Sequence, residues 1–341
     1  MQLRTIALTA SLAIAQLVVP GLARAQQYQV TNLVSNQEKT ASTTDPLLVN
    51  AWGLAHGKGS PWWISDEASG WSTLYDKDGT KVPLNVLIPT AGGDGPGTPT
   101  GIVFNGNSTE FKISGGQAAF IFATLDGTIS GWAPSVNRST ALVAVTTPGA
   151  SYTALTISTN PSANVLLAAD NANNKIDIYD DTFKLIKSVT DPGVPAGYSV
   201  FGLQDFGGVV YASFVPTSGA IGGYIDIFAE DGTLLKQLTH GGNLNQPWGF
   251  AIAPNNFGPL SNTLLISNNV SFTGAINAYN PITGQFVGIL RDDSGAVIHI
   301  DQLWGIAFGD GAGSNGNTNQ LYFTAGPDNN LAGLFGVINA K

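Results

Sequence analysis

The stretch NQPWGFAIAP, residues 245–254, places a Trp-Gly pair ahead of alternating large and small apolar residues, and near copies stand far away as NAWGLA (50–55) and QLWGIA (302–307). Relaxing the Trp position recovers six copies: AWGLA (51–55), PTGIV (99–103), YTALT (152–156), VFGLQ (200–204), PWGFA (247–251) and LWGIA (303–307). Each pairs a small residue, Gly or in one case Ala154, with a large apolar one. Their spacing of roughly 50 residues is that of one propeller blade.

A second repeat follows each of the first five copies. GWSTLYD (70–76), GTISGWA (127–133), NKIDIYD (174–180), GYIDIFA (223–229) and GAINAYN (274–280) all set a Gly or Asn five residues before an aromatic. Gly and Asn tolerate a left-handed backbone, so the spacing predicts a tight turn into a strand whose far end buries an aromatic. Each blade then reads as four strands: the Gly phrase innermost, a run such as PWWISD, the aromatic strand, and an outer strand such as LNVLIP. The last copy, GLFGVIN (333–339), ends the chain one strand short. YQVTNLV (28–34) supplies the missing outer strand, so pairing the two ends is expected to close the ring and remove an open sheet edge.

Composition agrees with an all-β chain: 42 glycines, 11% charged residues and no sustained helical periodicity outside the first residues. Residues 1–25, with an early Arg, an apolar run and Ala23-Arg24-Ala25 at the end, read as a signal peptide, leaving 26–341 as one domain that is secreted or periplasmic. The apolar run is too short and too interrupted for a membrane span. Net charge is −9, and −11 once Arg4 and Arg24 leave with the leader, which argues against a nucleic-acid partner. With no cysteine, stability rests on core burial, and the chain is expected to act as a monomer.

LLAADNANNKIDIYD (166–180) is similar to an NHL repeat, and the chain as a whole, through VTNLVSN, WGLA, PTGIVFNG, FATLDGTISGW, PWGFAIAPNNFG and LYFTAGP, resembles secreted NHL-repeat-like six-bladed β-propeller proteins. That resemblance implies the fold rather than a reaction, because propellers serve many functions.

The residue ahead of the small one in each phrase is Trp52, Thr100, Thr153, Phe201, Trp248 and Trp304. Inner strands start at the upper mouth of the channel, so the four aromatics form one arc across neighbouring blades. Two readings stand: wedges packed between blades, or a ligand wall for a small molecule, a glycan ring or an apolar peptide. His240 and His299 precede the inner strands of blades 5 and 6 and are expected beside Trp248 and Trp304. His56 follows an inner strand on the opposite face, so the three histidines do not form a zinc site. Asp66, Asp170, Asn171 and Asn268, in the turns after second strands, could supply oxygens to calcium, the cofactor of six-bladed lactonases. In the competing reading Asp66 and Asp170 cap their own turns. The chain lacks the Ser-Pro-Asp-Gly signature of those lactonases and shows no Gly-x-Ser-x-Gly elbow or phosphate loop. A binding or interaction module with its site at the upper mouth is the expected function. A calcium-dependent hydrolase or lactonase using the same mouth is the alternative.

Overall fold

The computed structural model describes residues 28–160 and 164–341; the leader expected at residues 1–25 lies outside them. Six antiparallel sheets follow one another around a ring. Their innermost strands are Ala51–Ala55, Pro99–Phe104, Tyr152–Ile157, Tyr198–Asp205, Pro247–Ile252 and Leu303–Phe308, which number blades 1 to 6. Every Gly phrase therefore lies in an inner strand, as its repetition predicts. From the axis outward, blade 1 continues with Trp62–Asp66, Trp71–Tyr75 and Lys81–Leu87, and blades 2 to 5 repeat that order.

The two ends of the chain meet in blade 6. Its fourth strand is Tyr28–Ser35, antiparallel to Leu334–Ala340 in a register that runs from Tyr28 opposite Ala340 to Ser35 opposite Leu334. Tyr28 also spans to blade 5, where its buried hydroxyl donates to the Phe257 carbonyl at 2.9 Å and accepts the Leu260 N–H at 3.1 Å.

Two features of the sequence now have physical causes. The phrase glycines are small because inner strands touch: a Cβ on Gly202 would lie 2.0 Å from the Trp248 carbonyl oxygen, and one on Gly101 would lie 2.3 Å from the Leu155 nitrogen. The aromatics closing the third strands are buried, with Tyr75, Tyr179 and Phe228 at 0 to 1% exposure. The turn glycines ahead of those strands divide into two kinds. Gly70, Gly127 and Asn174 are left-handed, whereas Gly223 and Gly274 are not and instead leave room for Pro247 and the Ile300 carbonyl.

Among the described residues, no helix is long and apolar enough to cross a membrane.

Candidate functional site

The four aromatics of the inner strands converge on each other. Trp52 stacks on Trp304 with ring centroids 3.6 Å apart and meets Trp248 edge-on at 6.0 Å; Trp248 meets Trp304 at 5.7 Å. Phe201 closes the group against Trp52 and Trp304 at 6.4 and 5.9 Å. The three indoles are 3 to 7% exposed. Blades 1 and 5 are not neighbours, so the Trp52–Trp248 contact crosses the channel mouth and closes it. The rings form a plug rather than an open wall. Neither sequence reading anticipated that, because side chains from strands on different sides of the ring meet only in the closed fold.

Hydrogen bonds hold the plug. The Trp248 indole N–H donates to the Thr153 carbonyl across the channel at 3.1 Å, and the Trp304 N–H donates to Asn50 Oδ1 at 3.1 Å. Asn50 in turn donates to Glu67 at 2.6 Å, while burial raises the Glu67 carboxyl above its ordinary pKa. The buried Trp52 N–H has no partner.

The two threonines of the same station have a different task. Thr100 Oγ1 donates to the Tyr152 carbonyl of blade 3 at 2.6 Å, and Thr153 Oγ1 to the Phe201 carbonyl of blade 4 at 2.8 Å. Where the station is aromatic, a hydroxyl on the second strand takes over. Ser213 accepts the Gly202 N–H and donates to the Pro247 carbonyl; Ser267 accepts from Gly249 and donates to Trp304; Thr324 accepts from Gly305 and donates to Trp52. At the position of those hydroxyls, the second strands of blades 2 and 3 carry Ala123 and Ala169 instead. Inner Thr with Ala, or inner aromatic with Ser or Thr, was a pattern present in the sequence that marks five of the six blade-to-blade links. Blade 1 has the serine, Ser65, but its buried hydroxyl makes no bond.

The expected histidine neighbours of the plug lie elsewhere. His240 ends the outer strand of blade 4, exposed and stacked on Tyr224 at 5.2 Å. His299 is exposed, contacts the Thr273 carbonyl at 3.3 Å, and lines with Asp301 and Lys39 a surface groove of about 710 Å³ beside the ring-closing strand. His240 is the last residue of an outer strand and His299 lies in the connection that precedes an inner strand, so both stay apart from the axis.

The oxygen ligands expected for calcium do not converge either. Asp66, Asp170 and Asn268 occupy the same place in blades 1, 3 and 5, which spreads them around the ring. Asp170 caps its own turn, accepting from Ser151 N at 3.1 Å and from Asn173 N and Nδ2 at 3.3 and 2.8 Å. Asn268 accepts the Asn245 N–H, and Asn171 donates to the Val200 carbonyl. Asp66 does not cap: it is fully buried, neither oxygen has a partner, and burial, with Asp45 nearby, pushes its carboxyl well above the usual range. Among the described residues no group of three or more His, Asp or Glu is arranged to hold a metal ion.

The channel is open at its other end. Below the plug, Gly53, Gly101, Ala154, Gly249 and Gly305 border a void of about 40 Å³, which leads to a funnel of about 440 Å³ between the C-terminal ends of all six inner strands. Its lining is mainly apolar, including Leu54, Ile102, Ile157, Phe250, Ile252 and Ala307, with Phe104, Phe206 and Phe308 and five polar side chains, His56, Thr156, Thr159, Gln204 and Asp205. His56 sits on this face as its position after the inner strand predicts. Its Nε2 contacts the Phe308 carbonyl at 3.1 Å and its Nδ1 the Asn315 amide nitrogen at 3.1 Å, with Asp310 at 3.7 Å. Both ring nitrogens thus tie blade 1 to blade 6, which makes this imidazole an anchor and not a free base.

No protein-family model matches the sequence. Two uncharacterised proteins of Acanthamoeba polyphaga mimivirus are similar to it: one is 29% identical over 91% of this chain and 80% of its own length, the other 26% identical over 91% and 85%. Among solved structures, a glucose dehydrogenase superposes with a TM-score of 0.61 at 11% identity, covering 92% of this chain and all of its own. A streptogramin B lyase follows with a TM-score of 0.55 at 14% identity, over 92% of this chain and 97% of its own. Virginiamycin B lyase from Staphylococcus aureus gives 0.53 at 12%, over 92% and 99%. Identities this low carry the fold alone. The chain is an all-β six-bladed propeller, closed by its own N-terminal strand and similar over nine-tenths of its length to mimivirus proteins with no assigned activity.

Proposed function

We propose that this propeller is an exported binding module that takes an apolar small molecule or an apolar peptide side chain in the funnel at the lower end of its channel. One observation carries the reading: a concave, axial cavity of about 440 Å³ lined mainly by aliphatic and phenyl groups with a few polar side chains among them, which is the usual form of a small-ligand site. The lining supports an apolar ligand over a glycan, because hydroxyl groups buried against Leu54, Ile102 and Phe250 would find few partners beyond Gln204 and Asp205, while Thr156, Thr159 and His56 are engaged within the protein. The upper mouth, where a ligand wall was expected, is filled by rings already packed on one another. A charged substitution at Ile252 distinguishes the funnel from the upper mouth. Titration with the neutral fluorophore N-phenyl-1-naphthylamine is expected to show one blue-shifted site per chain, lost in Ile252→Glu and kept in Trp248→Phe. Equal binding by both variants would exclude the funnel.

A further inference from the structure

One position repeats around the ring and in a single blade carries an acid that no cation of the chain meets. The middle residue of the third strand is Thr73, Ser130, Asp177, Asp226 and Asn277 in blades 1 to 5, buried in every case. In blade 3 the charge of Asp177 is met from three sides. The Lys175 ammonium, two residues back on the same face of the strand, lies 2.8 and 2.9 Å from its two oxygens; the Tyr152 hydroxyl donates at 3.0 Å; the Ser188 hydroxyl donates from the paired outer strand.

Blade 4 has none of these. Tyr224 stands where blade 3 has Lys175, Gln237 is paired opposite Asp226 where blade 3 has Ser188, and neither Asp226 oxygen accepts a hydrogen bond although the side chain is 0% exposed. A second acid is brought to it. Asp191, from the turn that joins blades 3 and 4, is 7% exposed, engages the Gly193 N–H through Oδ1 at 2.7 Å, and leaves its buried Oδ2 without a partner. The two carboxyls face each other, with the Gln237 side chain and the Leu238 backbone as the other groups beside Asp226. Gln237 is packed over Gly193 so closely that a Cβ there would lie 2.0 Å from its amide nitrogen. Two buried carboxyl groups thus face each other beside an amide on the outermost strand with no cation of the chain between them, and burial and the nearby Asp191 push the Asp226 pKa up to about 8.

We propose that Asp191, Asp226 and Gln237 form a calcium site, with the ion standing in blade 4 where the Lys175 ammonium stands in blade 3. Carboxylate and amide oxygens are the ligands of a hard cation, and the exposed Gln237 leaves one side open to the waters that complete a shell of six to eight oxygens. Magnesium is disfavoured, since it demands a tighter octahedron than a strand pair and a turn supply. The site is peripheral and independent of the funnel.

The test is calorimetric titration of the full, EDTA-stripped chain with calcium chloride, followed by thermal melting. One site is expected with a Kd of roughly 0.1–1 mM, the range of open, water-rich calcium sites. Asp226→Asn should weaken it by roughly 100-fold, while Asp170→Asn in blade 3 leaves it unchanged. Asp226→Asn removes a buried acid that no cation meets, so it should fold at least as well as the parent and its loss of binding is not a loss of structure. Tyr224→Lys supplies the ammonium internally and should abolish calcium binding with no fall in Tm. The proposal is overturned by the absence of any heat or Tm shift at about 10 mM calcium, well above the weakest sites of this class. It is equally overturned if Asp226→Asn and Tyr224→Lys bind as the parent does. A Tm that falls with rising pH and ignores calcium would show that the two acids share a proton instead.

Discussion

At the scale of single residues, the plug separates indoles that look alike in the sequence. Trp248→Ala removes a large buried ring and leaves the Thr153 carbonyl without its donor, so a loss of about 3–5 kcal/mol is expected in urea denaturation. Trp-to-Phe changes keep most of the ring and isolate the N–H. Trp304→Phe strands Asn50 Oδ1 and should cost about 1–3 kcal/mol, whereas Trp52→Phe deletes a donor that has no acceptor and should cost about 1 kcal/mol or less. A reversed order would mean that Trp52 has a partner. Asp66 allows a pH prediction. Its carboxyl is raised in the folded state by burial and by Asp45, so its protonated form favours folding; that contribution is complete below about pH 4 and fades as pH climbs toward the raised value, by at most about 1.4 kcal/mol per pH unit. Asp45 acts oppositely: despite burial, hydrogen bonds from Lys81 and Tyr75 lower its pKa, so its contribution fades only as pH falls below the ordinary carboxylate range. Asp66→Asn should therefore flatten the fall in stability above about pH 4 in denaturant titrations, and an unchanged slope would assign the dependence elsewhere.

At the scale of strands, the ring is assembled from one close contact repeated between inner strands. Glycine permits the approach and a hydroxyl bridges it, coming from the inner strand when that strand carries Thr and from the second strand when it carries an aromatic. The cooperation has a direct test in two serines that occupy matching places. Ser267→Ala leaves the Gly249 N–H and the Trp304 carbonyl unpaired in a buried setting and should destabilise by about 1–3 kcal/mol. Ser65→Ala removes a hydroxyl that bonds to nothing and should fall within about 0.5 kcal/mol of the parent. Equal effects in thermal or urea unfolding would show that the bridge carries no energy.

At the scale of the whole molecule, closure joins Tyr28–Ser35 to Leu334–Ala340, so the last blade exists only when both ends of the chain are present. Removing residues 26–35 should bare a sheet edge, lower Tm and promote association, seen as a shift to larger species in size-exclusion chromatography. The number of blades, the strand order and this closure were all legible in the sequence, because each is a count: six phrases, a fixed offset to the buried aromatic, and one strand too few at the end. The Thr-with-Ala, aromatic-with-Ser alternation was legible too, though only once the inner and second strands are set side by side. What the sequence could not place is everything that depends on which side chains meet across the axis. Trp52 and Trp248 lie almost 200 positions apart and in blades that do not adjoin, yet they close one mouth together; His240 and His299, close to the plug in sequence, end on the rim. Local repetition determines a strand and its neighbours, because backbone pairing and glycine contacts act between adjacent segments. The closed upper mouth, the open apolar funnel and the paired acids of blade 4 were decided only when the ring closed, because curvature alone brings those residues within reach.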